Sequence, residues 1–318
     1  MNEEIRRAAG ILRAGGLVAF PTETVYGLGA DASNAQAIAR LYAVKGRPAE
    51  HPVIVHFDTA ARAFAWAREL PEAAHALAAK FWPGPLTLIV RRAPHVGDFV
   101  TGAQLAVGLR VPAHPVAREL LAVFAELAGD VRRAGIAAPS ANRFGRVSPT
   151  TAAHVRADLG GEVDLVLEGG ASEVGIESTI VDLTRARPAI LRPGRVSAAQ
   201  IEAEVGALDA AQGAPRHSGG LERHYAPRTP ALLVASHAFD GEIARRRGRI
   251  AALAYSRPDE RVALWLRMPQ EPQAYAQRLY AALRELDLAG CDVILVEAPP
   301  ETPEWAAVRD RLRRAAEA

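Results

Sequence analysis

The chain has 318 residues, of which 49% are hydrophobic, so it can build a sizeable core and favours two domains over one. A formal net charge of +2 argues against a protein that coats nucleic acid through bulk charge. The single cysteine, Cys291, excludes a disulfide framework and a cysteine-rich zinc site. Because no apolar run reaches membrane-spanning length and no signal-type apolar core is present, we expect a soluble, cytoplasmic protein without a membrane partner.

Strands and helices are predicted in mixed order up to residue 205. The strands are predicted at 17–20, 53–57, 86–90, 106–112, 135–139, 165–167, 179–183 and 189–191. The helices are predicted at 5–14, 33–45, 60–70, 72–81, 115–128 and 197–205, with one more after a Ser148 cap. This pattern is typical of an α/β sheet with long functional loops.

The stretch from Phe20 to Pro48 brings three kinds of segment together. A short apolar strand is followed by a polar, glycine-punctuated loop over Pro21–Ala32 that holds Thr24. Ser33 and its successors form a candidate capping box for a helix that ends at K-G-R-P (45–48). A hydroxyl-rich loop beside two cations indicates a site for an anionic ligand.

Residues 206–230 interrupt the pattern with linker composition, being rich in Gly and Pro and without apolar periodicity. Strand–helix alternation then restarts. Its strands are predicted at 231–234, 250–254, 262–266 and 293–296, and its helices at 240–247, 272–286 and from Pro303. We therefore predict domains at 1–205 and 231–318, the second a small parallel-sheet unit of Rossmann or flavodoxin type. It lacks a Gly-rich phosphate fingerprint, so no nucleotide is assigned to it.

Two cations, Lys45 and Arg47, flank a glycine at a predicted helix end. A solvated last turn that complements the helix dipole is the alternative to a ligand role. Lysine occurs only at positions 45 and 80, so Lys45 hints at a need for a compact ammonium charge. His51 and His56 surround a strand, where a hydrogen-bonded core histidine is the alternative to a ligand.

Arg110 lies inside the apolar strand V-G-L-R-V-P (107–112), where an unpaired charge is costly. Its partner is a carboxylate or phosphate supplied by the protein or by a ligand, and we favour a ligand.

Short polar motifs also end several strands, namely P-S-A-N (139–142), E-S-T (177–179) and R-P-G (192–194). Bare turns are the alternative, but helix N-termini after strands also bind phosphate. The sequence contains no His/Cys metal cluster, no Ser-His-Asp spacing and no G-x-x-x-x-G-K-[ST] loop. The pattern favours binding of an anionic nucleotide and a small polar molecule, with catalysis mostly by positioning.

Seven motifs occur in order: P-T-E-T-V-Y-G-L-G (21–29), K-G-R-P-x-x-H-P (45–52), W-P-G-P-L-T (82–87), V-G-L-R-V-P (107–112), A-P-S-A-N (138–142), E-S-T-I-V-D (177–182) and L-R-P-G (191–194). This set resembles the YrdC-type family of threonylcarbamoyl-AMP synthases. H-Y-A-P (224–227), after a linker and before a further α/β unit, resembles the long, two-domain form. The resemblance implies a YrdC-like domain with a twisted mixed sheet.

The resemblance also implies a reaction, in which L-threonine, bicarbonate and ATP give L-threonylcarbamoyl-AMP and pyrophosphate. The product supplies a downstream threonylcarbamoyl transferase machinery that modifies tRNA beside the anticodon. Mg²⁺ is expected to accompany ATP, with metal ligands unassigned.

Site residues carry over from the motifs. L-Threonine would be held by Thr24, His56, Arg110, the Ala138 backbone and Ser178. ATP would be held by Lys45, Arg47, His51, Ser140, Asn142, Ser148, Arg192 and Tyr225. Lys45 and Arg47 would stabilise charge in catalysis, and no general base is assigned. Ala106 stands where family members often have Thr or Ser, so any nucleotide contact there would use backbone.

Two rival functions belong to other classes. A non-catalytic double-stranded RNA- or ribosome-binding module of the same fold is opposed by the low net charge and by the lack of an aromatic–basic stacking motif, although an RNA contact stays open. A carbamoyl-phosphate-using maturation enzyme with a similar domain needs zinc-finger cysteines that this sequence lacks. We expect the 206–230 linker, with H-Y-A-P, to fold over the nucleotide as an active-site lid.

Overall fold

The computed structural model describes residues 3–221, 223–256 and 259–316, and the chain divides into two compact units. The first unit comprises Met1–Phe144, Pro149–Glu173 and Glu177–Gly220. The second comprises Gly145–Ser148, Val174–Ile176 and Leu221–Ala318. Residues 1 and 318, the outer bounds of the two predicted domains, lie outside the described residues.

Nine strands of the first unit form one mixed sheet. They are β1 (Val18–Phe20), β2 (Gly27–Asp31), β3 (Ile54–His56), β4 (Leu86–Arg91), β5 (Ala106–Arg110), β6 (Ile136–Ala137), β7 (Leu165–Val166), β8 (Thr179–Asp182) and β9 (Ala189–Arg192). Their order is β7-β1-β2-β6-β3-β5-β4-β8-β9. The β1–β7, β3–β5 and β4–β8 pairs are parallel and the other pairs antiparallel. The predicted mixed α/β sheet is confirmed.

Helices pack on both faces of this sheet. They are α1 (Glu3–Arg13), α2 (Ala35–Lys45), α3 (Ala60–Phe64), α4 (Glu72–Phe81), α5 (Asp98–Thr101), α6 (Pro115–Ala128), α7 (Ala152–Leu159) and α8 (Ala198–Val205). Alternate residues of β1 enter different cores: Ala19 joins the cluster under α2 and α4, and Phe20 joins the one under α1 and α6. The first strand is therefore buried on both sides, as its continuous apolar run predicts.

Strand β2 lies within the stretch predicted as a loop, so that prediction is wrong at Gly27–Asp31. Glycine here signals close packing. A Cβ at Gly29 would lie 2.9 Å from the Phe20 ring and 3.1 Å from the Val18 carbonyl oxygen of the antiparallel partner β1. The glycines that indicate a turn in the sequence instead let two strands and an aromatic ring approach each other.

Two predicted helix caps are also wrong in detail. Helix α2 is capped by Asn34, whose side-chain oxygen accepts from the amides of Gln36 and Ala37, whereas Ser33 donates to Asp31. Helix α7 begins at Ala152 with Thr151 as its cap, so Ser148 caps no helix. The predicted cap at Ser197 is confirmed as a full capping box with Gln200.

The helix predicted at 60–70 ends at Phe64, because residues 66–68 hydrogen-bond alongside β4 and its continuation. The loop predicted at 93–104 contains the short α5.

The second unit holds a four-stranded parallel sheet in the order β10-β13-β11-β12. Its elements are β10 (Ala231–Val234), α9 (Phe239–Arg245), β11 (Ile250–Ala254), β12 (Val262–Arg267), α10 (Pro272–Asp287), β13 (Val293–Glu297) and α11 (Ala306–Ala315). The predicted parallel α/β unit is confirmed.

Candidate active site

The loop between β1 and β2 fixes the hydroxyl of Thr24. Thr22 donates its single hydroxyl proton to the Val25 carbonyl oxygen at 2.6 Å, and its Oγ1 lies 2.8 Å from Thr24 Oγ1. Thr24 must therefore be the donor in that pair. The Thr24 hydroxyl oxygen can still accept hydrogen bonds, so toward a ligand Thr24 acts only as an acceptor. Both residues are buried.

Arg110 ends β5 with a carboxylate partner that the sequence analysis did not select. Its Nη2 donates to Glu23 Oε1 at 2.7 Å, and its Nε donates to the Gly84 carbonyl oxygen at 3.4 Å. Both charged side chains are buried, with side-chain exposures of 6% and 7%. The preference for a ligand as the source of the counter-charge is thus wrong for this structure, where the protein supplies it.

His56 pairs with Arg110 across the parallel strands β3 and β5. Burial, and then the Arg110 charge, lower the pKa of His56 to about 3, so its ring is neutral at physiological pH. Its Nδ1 is buried without a hydrogen-bond partner. A buried ring nitrogen left unpaired is costly unless a ligand pairs with it, and this weighs against the core-histidine alternative.

Lys45, the last residue of α2, ties the A-P-S-A-N loop in place. Its Nζ donates to the carbonyl oxygens of Ser140 and Asn142, both at 2.5 Å. Burial, followed by the charges of Arg47 and Arg143, holds the pKa of Lys45 well below its usual range. Lys45 is buried, with 2% exposure, so the solvated-turn alternative is wrong for this residue.

Arg47 and His51 shape the neighbouring loop. Arg47 donates to the Pro52 carbonyl oxygen at 2.7 Å and stacks its guanidinium over Phe144 at 5.4 Å. The His51 ring lies 5.4 Å from the same aromatic ring. Burial, and then Arg47, lower the pKa of His51.

The A-P-S-A-N loop is itself held by the strands around it. The amide of Ala138 donates to the Ile54 carbonyl oxygen at 3.0 Å, and the amide of Ala141 donates to that of Tyr26 at 2.8 Å. The loop therefore joins the predicted phosphate cations to β3 and to the Thr24 loop.

A cavity that is open to solvent lies over β3, β4, β5 and β8. Its walls are Pro52, Val53, Ile54, Thr87, Ile89, Gln104, Ala106, Gly108, Ile180, Arg216, His217 and Ser218. Apolar walls with a few polar groups are usual in small-molecule sites. Ala106 is among the lining residues.

Ser178 and Arg192 lie beside this cavity. Thr87 and Ser178 share a hydrogen bond of 2.8 Å between their hydroxyls. Arg192 donates from Nη2 to the Ser178 hydroxyl and from Nη1 to the Ser218 carbonyl oxygen, at 3.1 and 3.0 Å. A residue assigned to threonine and one assigned to ATP are thus in direct contact.

Residues 216–218 form a strap across one side of the cavity. The side chain of Gln104 accepts from the Arg216 amide at 2.7 Å and donates to its carbonyl oxygen at 3.0 Å. Arg216 reaches the Gly102 carbonyl oxygen at 2.7 Å, and Ser218 reaches that of Pro52 at 3.1 Å. Part of the predicted linker is therefore bound to the first unit.

Two predicted ATP residues belong to the second unit. Ser148 is fully buried there. Tyr225 has a left-handed backbone, with φ of 61°, and its ring lies between the guanidinium of Arg311 at 5.3 Å and the ring of Tyr280 at 5.8 Å. Their roles in binding stay predictions.

The first unit brings together the other sequence-predicted residues in linked groups: Thr24, His56 and Arg110; Lys45, Arg47, His51, Ala138, Ser140 and Asn142; and Ser178 with Arg192. Thr22, Glu23, Thr87 and Gln104 were not predicted as site residues from the sequence. For Glu23 a signal was available, because the charge of Arg110 in an apolar strand indicated that a partner was needed. Gln104 gave none.

Within the described ranges, no group of three or more His, Cys, Asp or Glu side chains could hold a metal ion. No helix among the residues described is long and apolar enough to cross a membrane.

Two family models match this chain. The Sua5_yciO_yrdC model, described as telomere recombination, matches residues 10–194. A second, described as threonylcarbamoyl-AMP synthase, C-terminal domain, matches residues 196–317.

Known proteins resemble the chain over nearly its whole length. A threonylcarbamoyl-AMP synthase from Pyrococcus abyssi is 38% identical over 98% of this chain and 94% of its own. One from Bacillus subtilis is 35% identical over 99% and 93%, respectively. A crystal structure of P. abyssi Sua5 complexed with L-threonine has a TM-score of 0.88 at 36% identity, covering 98% of this chain and 94% of that one.

Proposed function

The chain belongs to the family of threonylcarbamoyl-AMP synthases, in its long, two-domain form, and we propose that it makes L-threonylcarbamoyl-AMP from L-threonine, bicarbonate and ATP, releasing pyrophosphate. The observation that carries this proposal is the buried group of Thr24, His56 and Arg110. It offers an acceptor hydroxyl, a neutral ring nitrogen without a partner and a guanidinium with unused donors. A small zwitterion with a hydroxyl matches these groups.

In this proposal the carboxylate of L-threonine binds Arg110. Thr24 accepts from the ammonium or hydroxyl group of the ligand, because its own proton is already donated. The neutral His56 ring, the Ala138 backbone and the Ser178 hydroxyl complete the site. The solved relative that contains L-threonine supports the choice of amino acid.

ATP is proposed to bind across the cation-rich loops. Lys45, Arg47 and Arg192 would face its phosphates, and His51, Ser140 and Asn142 would complete the site in the first unit. Ser148 and Tyr225 are assigned to ATP by motif alone. The cavity that Ser218 lines has apolar walls with a few polar groups, and we place part of the nucleotide there.

The chemistry is proposed to take two steps. The threonine ammonium group first loses a proton to solvent. The amine then attacks the carbon of bicarbonate, with loss of water, or of carbon dioxide, with loss of a second proton, and gives a carbamate. A carbamate oxygen then attacks the α-phosphorus of ATP, and the bond to the bridging oxygen breaks to release pyrophosphate. The cations stabilise the charge that develops on the phosphate oxygens. No described residue is assigned as a general base.

Mg²⁺ is proposed only as a companion of ATP. Among the described residues, no group of three or more His, Cys, Asp or Glu side chains could hold a metal ion, so a dedicated protein cage for Mg²⁺ is not proposed. An ion that comes with ATP is bound largely by the phosphates and by water, and no step is assigned to it.

The predicted lid is retained as part of the proposal. The strap at 216–218, which lines the cavity and binds the first unit, supports it. Closure would protect a labile acyl-adenylate from water. A chain that ends at Val205 should therefore lose activity, and equal activity would refute the lid.

The product is proposed to pass to the transferase machinery that modifies tRNA in the cytoplasm. Direct RNA contact is not required for this step. The comparisons favour the synthase over the non-catalytic RNA-binding module.

The decisive experiment incubates the protein with ATP, L-threonine and bicarbonate and follows both pyrophosphate release and the acyl-adenylate by mass spectrometry. Samples without threonine and without bicarbonate are the controls. We expect release only in the complete mixture. Release that is absent, or that does not depend on threonine, contradicts the proposal.

A further inference from the structure

Glu23 lies between the Thr24 loop and the end of β5, buried with 5% exposure. One carboxylate oxygen accepts from Arg110 Nη2 at 2.7 Å, and the other accepts from the Ala113 amide at 3.0 Å. We propose that Glu23 is the positioning residue of the threonine site: it holds Arg110 so that one edge of the guanidinium receives the amino-acid carboxylate. This inference rests on the proposed function.

The hydrogen bonds of Arg110 leave one defined edge for a ligand. A guanidinium has five N–H donors. In the described structure Nε is used by Gly84 and one proton of Nη2 by Glu23, whereas Nη1 makes no hydrogen bond. Arg110 is 5% exposed, but Nη1 is not a fully buried atom, so this nitrogen is the edge that a second carboxylate can reach.

Glu23 could instead be a surrogate that the ligand displaces. Its geometry opposes this, because displacement would leave a buried carboxylate with only the Ala113 amide as partner. Breaking a buried pair is strongly destabilising. A carboxylate anchored on both oxygens is better suited to hold the guanidinium than to leave it.

The test measures binding by calorimetry, using L-threonine and L-threoninol as probes. L-Threoninol keeps the amine and the side-chain hydroxyl but lacks the carboxylate. The wild-type protein should bind L-threonine about tenfold to a hundredfold more tightly than L-threoninol, the range for a hydrogen bond to a charged group. Glu23→Ala should lose most of this preference by weakening L-threonine binding, with little change for L-threoninol.

Glu23→Gln provides a variant that conserves the shape. Its single amide oxygen can accept from Arg110 or from Ala113 but not from both, and its amide nitrogen would face a donor. We expect an intermediate preference for L-threonine. If Glu23→Ala does not fold, Glu23→Gln alone decides, and an unchanged preference overturns the proposal.

Asp31→Asn is the matched control. Asp31 is also a buried carboxylate of the first unit, 2.6 Å from Arg13, and we place it outside the site. This variant should lower stability in thermal unfolding but keep the full preference for L-threonine. If it loses the preference as Glu23→Ala does, general loosening explains both and the proposal fails.

Failure of the proposed threonine site and failure of the role of Glu23 give different results. If the wild-type protein binds both probes equally, the assignment of the threonine carboxylate to Arg110 is wrong, and the proposed site falls with it. If the wild type discriminates and Glu23→Ala discriminates equally, only the role of Glu23 is wrong.

Discussion

Arg192 donates two hydrogen bonds to Ser178, from Nε to the carbonyl oxygen and from Nη2 to the hydroxyl, each 3.1 Å long. In the proposed function Arg192 contacts ATP and Ser178 contacts L-threonine. A single guanidinium therefore couples the two substrate sites, and a disturbance at one should be felt at the other.

Arg192→Lys should raise KM for both ATP and L-threonine and lower kcat. An ammonium keeps the charge but cannot span two acceptors as a guanidinium does. We expect kcat/KM to fall by a factor that corresponds to about 2 kcal/mol, the scale for a hydrogen bond to a charged group. Steady-state kinetics with each substrate varied in turn measures this.

Arg185→Lys is the control for this prediction. Arg185 also donates to two backbone carbonyl oxygens, those of Ala210 and Gln212, but we place it outside the site. Its kinetics should match the wild type. If Arg192→Lys changed only KM for ATP, the coupling would be wrong.

Thr22→Val should weaken L-threonine binding although Thr22 is not assigned to the ligand. The change releases the Thr24 proton and leaves the Val25 carbonyl oxygen without its 2.6 Å donor. Leaving a buried group unsatisfied costs about 1–3 kcal/mol of the free energy of unfolding. Urea unfolding and KM for L-threonine are the measurements. Thr22→Ser keeps the hydroxyl and should behave as the wild type. An equal loss in both variants would contradict the assignment of Thr24 as the donor to Thr22.

The order of elements could be predicted from the sequence because apolar periodicity decides it. Helix α6 and strand β11 match their predicted bounds. Strand β2 could not be predicted, because its glycines are explained by atoms distant in the sequence that lie against them, namely the Phe20 ring and atoms of Ala138 and Ile136. A single chain does not reveal which distant side chain fills the space over a glycine.

The candidate site could also be predicted only in part. The unusual charge of Arg110 in an apolar strand predicted that it needs a partner. Its partner Glu23 lies 87 residues away, and strand order, which the sequence does not fix, brings the two together. The contact of Gln104 with Arg216 spans 112 residues and involves backbone atoms, for which no side-chain pattern exists.

His56 should make the free energy of unfolding fall in acid. Burial lowers its pKa from 6.5 to about 3, so below pH 6.5 the unfolded chain binds a proton that the folded chain does not. Its contribution to stability is complete above pH 6.5 and decreases by up to about 1.4 kcal/mol per pH unit toward pH 3. The difference between the wild type and His56→Gln, measured by urea unfolding from pH 7.5 to about pH 4, isolates this from other acid-titrating groups. A difference that does not vary with pH would show that His56 titrates normally.

Lys45→Ala should lower kcat/KM by a factor that corresponds to at least about 2 kcal/mol of transition-state stabilisation, since it removes a buried charge that we assign to the phosphates. It also frees the carbonyl oxygens of Ser140 and Asn142. Lys80→Ala is the matched control, because Lys80 is the other lysine of the chain and its side chain is 60% exposed beside Glu204. Pyrophosphate release measures both variants. Wild-type turnover by Lys45→Ala would remove this residue from the catalytic assignment.

Gln104→Leu should release the strap and expose it to trypsin. The wild-type Gln104 holds the Arg216 backbone by two hydrogen bonds, of 2.7 and 3.0 Å, and a leucine side chain can form neither. Cleavage after Arg216, followed by mass spectrometry, should accelerate several-fold, and KM for ATP should rise because the strap lines the cavity. Leu105→Ala is the control, since this neighbouring side chain is 78% exposed and makes no strap hydrogen bond. ATP should slow cleavage of the wild-type chain more than that of Gln104→Leu. Equal protection by ATP in both would mean that the strap closes without Gln104.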